Sequence, residues 1–155
     1  MNEILQIWNS FIQARNILYL NGLIRSYNNP IEDFSEWLVA NVVNGHLAAN
    51  INQQDYDVQN EHYSIQVKSI AKAPNNPNGY IVSNRDRQNQ LATHYAFVFY
   101  NEYVPATIYI TNSDFVRDFH MSQIKRNHLD QQCPNIVAIT EQLSVKFNEN
   151  DFSID

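Results

Sequence analysis

The stretch YDVQNEHYSIQVKS, Tyr56–Ser69, decides how this chain is read. Its second half alternates polar and apolar residues, as a half-buried strand does. Yet Lys68 stands between Val67 and the apolar residues that follow, two positions after Gln66 and eleven after Asp57. A strand that only fills a core has no use for these three side chains. A four-residue loop over Gln59–His62 would pair Val58 with Tyr63, Asp57 with Ser64 and Asp55 with Gln66. Paired residues in a sheet point to one face, and alternate residues along a strand share a face. Asp57, Gln66 and Lys68 are therefore expected on one side, and Tyr63, Ile65 and Val67 in the core on the other. A loop one residue longer or shorter would break this convergence.

Outward from the hairpin, the chain predicts a mixed α/β domain. Apolar residues at Ile4, Leu5, Trp8, Phe11, Ile12 and Leu18 have helical spacing over 3–27, with a break at Asn21-Gly22. Asn28-Asn29-Pro30 ends that segment, because a residue before proline avoids the helical region. A second helix is expected from near Asp33, with Phe34, Trp37, Leu38 and Val42 on its apolar face and Gly45 as its stop. Short strands are expected at Leu47–Ile51 and Tyr56–Val58, then the long one at Tyr63–Ala71. A turn-rich loop, Ala73–Gly79, leads to a brief strand at Tyr80–Val82 and a short helix near Asn84–Leu91. Tyr95–Tyr100 is almost continuously apolar, as suits a strand buried on both faces. A strand at Thr107–Thr111 and a helix capped from Thr111-Asn112-Ser113 follow. Beyond residue 127 the pattern is faint, with a strand expected at Asn135–Thr140.

The patch at the hairpin has a chemistry. A carboxylate beside a neutral amide oxygen suits a hard cation such as Mg²⁺, with Mn²⁺ as a substitute. Such an ion lowers the pKa of its bound water and offsets phosphate charge, and a nearby lysine stabilises the transition state. Asp57 followed by Gln66-Val67-Lys68 resembles the signature of the PD-(D/E)XK, or restriction-endonuclease-like, nuclease superfamily. In that family an Asp on one strand precedes an acid, any residue and Lys on the next. The stretch DFSEWLVANVVNG, from Asp33, is similar to the helix of that fold whose glutamate joins the metal site, which makes Glu36 its counterpart. The order α-β-β-β-α-β matches over roughly residues 31–100. Two positions depart from the signature: Tyr56 replaces the proline and Gln66 the middle acid. The Gln-x-Lys form resembles the methylation-dependent, Mrr-like restriction enzymes.

The resemblance implies a restriction-endonuclease-like core with an added N-terminal helix, 1–155 forming one nuclease-like domain. It implies a Mg²⁺-dependent DNA endonuclease of a restriction or defence type. Asp57, Glu36 and Gln66 would hold the ion, and Lys68 would act on the water and the transition state. One core cuts one strand, so cutting a duplex implies a homodimer. Two other readings stay open: a catalytically inactive DNA-binding or assembly subunit of the same fold, and a nuclease specific for junctions or flaps. In the plainer reading of the same residues, Asp57 flanks a turn and Lys68 snorkels from a strand end.

Composition sets the limits. With 155 residues, 44% of them apolar and 17% charged, the chain can build one core. The single cysteine, Cys133, excludes an internal disulfide and a cysteine-rich zinc site, and a reducing, cytoplasmic setting is expected. No apolar run is long enough to span a membrane. The five histidines lack ligand spacing and are expected to be structural or exposed. Three glycines leave no phosphate-cradling loop. The net charge of −6 argues against a nonspecific nucleic-acid coat. The basic residues gather in 61–126, as Lys68, Lys72, Arg85, Arg87, Arg117, Lys125 and Arg126. Among them Lys72, Arg85 and Arg87 are candidates for phosphate contacts, and Gln88 for a base contact.

Overall fold

Asn29-Pro30 starts a helix rather than ending one. In the computed structural model, which describes residues 2–26, 29–49, 56–72, 80–83, 91–101, 104–119 and 123–132, helix α1 (Asn2–Leu20) stops before Gly22, whose φ is +70°. Helix α2 (Pro30–Val42) then begins three residues before the expected Asp33. The Asn29 side chain accepts the Ile31 N–H, and Pro30 occupies the first turn, where its missing N–H costs nothing. At the other end of α2 the left-handed residue is Asn44 (φ 50°), not Gly45. Gly45 is needed for a close approach: a Cβ there would lie 2.7 Å from the Gln59 carbonyl oxygen.

The central sheet is mixed and five-stranded, in the order β1-β2-β3-β5-β6. The strands β1 (His46–Leu47), β2 (Val58–Gln59) and β3 (Ser64–Lys72) form an antiparallel meander. Strand β5 (His94–Asn101) runs parallel to β3, with Lys68 beside Phe97, and β6 (Val104–Asn112) runs antiparallel to β5. Strand β4 (Tyr80–Ser83) leaves this sheet and pairs with β7 (Gln123–Lys125), which the sequence pattern did not reveal. The first two strands are shorter than expected. The helix predicted near Asn84–Leu91 and the strand at Asn135–Thr140 lie outside the described residues, apart from Leu91, which is not helical.

Alternation along β5 builds two cores. Ala96, Val98 and Tyr100 join Val58, Ile65, Val67 and the α2 residues Leu38 and Val39 on one face. Tyr95, Phe97 and Phe99 meet Tyr109, Val116, Phe119, Ile124 and Leu129 on the other. Helix α3 (Ser113–Asp118), capped by the Asn112 side chain, and helix α4 (Arg126–Gln132) supply part of that second face. Each fully buried aliphatic or aromatic side chain contributes roughly 1.5–3 kcal/mol. A buried polar tie fixes α2 on the sheet: the Ser35 hydroxyl lies 2.7 Å from the Tyr100 hydroxyl, and burial pushes that phenol up to about 12. The fold is thus α/β, a mixed sheet flanked by helices, and no helix among the described residues is long and apolar enough to cross a membrane.

Candidate functional site

The hairpin is shifted by two residues from the sequence expectation. Val58 pairs with Ile65 and Gln59 with Ser64, so the four-residue loop is 60–63. Asn60 sets it: its side-chain oxygen accepts the N–H groups of His62 and Tyr63, at 2.9 and 2.8 Å. A shift of two keeps every residue on its face. Tyr63, expected in the core, falls in the loop and stays 44% exposed, its ring against His94.

The Asp57 side chain meets Gln66, not the Ser64 that the expected register placed opposite it. Its N–H donates to the Ile65 carbonyl at 2.9 Å, so Asp57 and Val58 share one opposing residue, as at a β-bulge. Strand β2 is too short to cover the outer edge of β3 beyond this point. The Asp57 carboxylate takes over the edge, accepting the Val67 N–H at 2.7 Å and the Gln66 side-chain N–H at 2.5 Å. Gln66 is buried, and its amide nitrogen is directed at Asp57, which leaves the amide oxygen for another partner. Lys68, half-buried on the same strand face, lowers the Asp57 pKa through its charge.

Glu36 reaches this edge from α2. Glu32, Glu36, Asp57, Gln66, Val67, Lys68 and Ser69 line one cleft of about 390 Å³. All four residues expected to form the site are therefore in one place. Burial, then the Asp57 charge, pushes Glu36 up to about 7, although Arg25 pulls it down. Burial also raises Asp57, against the Val67 N–H, Lys68, Arg25 and Gln66.

Arg25 is the residue that sequence reasoning missed. Its guanidinium is ion-paired with Glu36 and donates to the Ala48 carbonyl at 2.7 Å, while its buried Nε has no hydrogen-bond partner among the described residues. Asp33, also missed, fixes the arginine backbone by accepting the N–H groups of Arg25 and Ser26, at 2.8 and 2.6 Å. The available signal was local charge: Arg25 is the one basic residue between Arg15 and Lys68, next to the acidic helix carrying Glu32, Asp33 and Glu36.

The proposed DNA contacts are only partly in view. Lys72 closes β3, and Arg85, Arg87 and Gln88 lie outside the described residues. Of the other basic residues, Arg117 pairs with Asp114 and Asp118, and Arg126 lies over the Phe99 ring and donates to Thr107. Both have partners of their own away from the cleft. His128 is buried and accepts the Lys125 N–H at 3.2 Å.

A hard cation suits the donor set. Two carboxylates with raised pKa values and one amide oxygen face a cleft, and a divalent ion would relieve their repulsion. Among the described residues, no group of three or more histidine, cysteine, aspartate or glutamate side chains is arranged to hold a metal ion by itself. No family model matches the sequence, and comparison with curated proteins finds no match.

The carboxylate pair makes stability depend on pH. The folded pKa of Glu36, about 7, lies above its ordinary 4.5, so its contribution is full below 4.5 and is lost as pH rises through 7. Asp57, also raised, acts in the same direction. After allowance for partial exposure, chelator-treated protein should lose about 1–2 kcal/mol between acidic and mildly alkaline pH. Thermal melts across this range should show the loss, with a smaller one in Glu36→Gln. A flat profile would mean that Glu36 is not held as described.

Proposed function

We propose that this chain is a divalent-metal-dependent endodeoxyribonuclease with a restriction-endonuclease-like core. The observation that carries the reading is the single cleft lined by Asp57, Gln66, Lys68 and Glu36 at the open edge of β3. The order of elements supports it: a helix, a three-stranded antiparallel meander and, after β4 has left the sheet, a strand returning parallel to β3. Asp57, Glu36 and the Gln66 amide oxygen would hold Mg²⁺, which supplies an acidified water and charge offset on the scissile phosphate. Lys68 would donate to the oxygen on which negative charge grows as the phosphodiester is attacked. Asp57 serves twice, since its bonds to Val67 and Gln66 also hold the strand edge in shape.

The test is cleavage of supercoiled plasmid by pure protein with and without Mg²⁺ or Mn²⁺. Metal-dependent cleavage is expected, and Asp57→Asn should lower it by about 10²-fold or more. A second reading keeps the fold as a DNA-binding or assembly subunit without catalysis. The neutral Gln66 and the ion pair that occupies Glu36 favour it. DNA binding without cleavage, on linear and branched substrates alike, would select this second reading.

A further inference from the structure

Helix α1 carries a large apolar face that stays exposed among the described residues. Ile4, Leu5, Ile7, Trp8, Phe11 and Ile12 fall within one broad stripe of the helix, at spacings of three and four. They are exposed by 71, 54, 66, 58, 50 and 39%. The Trp8 and Phe11 rings pack on each other, centroids 5.3 Å apart, in the middle of the stripe. Most of a helix's stability in a protein comes from packing its apolar face, so an uncovered stripe of this length calls for a partner. Scaled by side-chain size, the stripe offers roughly 700 Å² of uncovered surface, more than a monomer usually leaves in one patch.

We propose that this face is the homodimer interface, α1 of one copy packing on α1 of the other. Two such stripes together bury roughly 1,400 Å², within the range of specific stable interfaces. The composition of the helix selects a second copy over other occupants. In a two-fold contact each surface meets itself, so any excess of one charge repels. Only Glu3 and Arg15 are charged in α1, and Arg15 is turned back to donate to the Ser26 carbonyl at 3.2 Å. The opposite side carries the neutral amides of Gln6, Asn9, Gln13 and Asn16 together with the exposed Ile17 and Leu20, and it faces away from the contact. A membrane surface would call for lysines and arginines on that polar side, and α1 has none there. This inference does not rest on the nuclease reading, although a duplex cutter would need such a pair.

The experiment is the mass of the full chain by light scattering and sedimentation, at concentrations up to about 100 µM. Twice the 18.1 kDa chain mass is expected. The double variant Trp8→Glu, Phe11→Glu should be monomeric, with its α2 and sheet core intact, since both side chains are exposed in one copy. Circular dichroism and near-ultraviolet spectra check that core. A monomeric wild type at every concentration would overturn the proposal and leave residues 133–155 or a different protein to cover the stripe. A dimer that survives the double variant would overturn it as well, by placing the contact elsewhere.

Discussion

Lys68→Ala is expected to lower metal-dependent cleavage by about 10²–10³-fold, the usual cost of removing one donor from a site of developing negative charge. Lys68 is half-buried in β3, and alanine leaves the backbone ladder to β5 untouched. Affinity for Mn²⁺ should change little, because an ammonium is not a ligand. The structure adds a second readout. The Lys68 charge lowers the pKa of Asp57, which burial has raised, so without Lys68 that carboxylate should hold its proton to higher pH. The acid limb of the pH–rate profile should therefore move upward with the loss in rate. A purely structural lysine would change stability and leave that limb in place. Undiminished cleavage by Lys68→Ala would remove it from the mechanism, and with it most of the case for catalysis in this cleft.

The shared face of Gln66 and Lys68 could be read from sequence because it depends on parity, not on the exact register: the side-chain period of a strand is two, so a slip of two residues leaves each on its face. Asp57 joins them through the bulge at Val58, which parity does not predict. What set the true register was a side chain, Asn60, whose bonds to the His62 and Tyr63 N–H groups fix where the turn begins. Nothing in the apolar pattern carries that information. The start of α2 was misplaced for a similar reason, since Asn-Pro both ends one segment and caps the next. Strand β5 was plain because burial on both faces leaves an unbroken apolar run. Strands β1 and β2 are two residues each, too short to show any period. Arg25 belongs to a loop whose position depends on Asp33 eight residues away, a tertiary contact without a periodic trace. Its presence also changes the charge balance at the site. Three carboxylates, Glu32, Glu36 and Asp57, stand with two built-in cations, Arg25 and Lys68.

Gln66→Glu should tighten Mn²⁺ binding in the absence of DNA by about tenfold or more, because a full charge replaces an amide dipole at short range. From shape alone the substitution would be harmless to the fold. The geometry predicts otherwise. The Gln66 amide nitrogen donates to Asp57 Oδ2 at 2.5 Å, and in the variant an acceptor takes its place. Two carboxylates would then meet at hydrogen-bond distance, with Glu36 close enough to repel Asp57 as well. Chelator-treated Gln66→Glu should therefore be less stable than the parent by about 1–3 kcal/mol near neutral pH. The pair can recover part of this by sharing a proton, so the deficit should shrink as pH falls. A divalent ion restores it more fully, and the gain in melting temperature on adding Mn²⁺ should be larger for the variant than for the parent. Calorimetric titration and melts with and without Mn²⁺ read the two effects separately. Loss of stability without tighter binding would mean that residue 66 serves only to hold Asp57 and that the cation binds elsewhere.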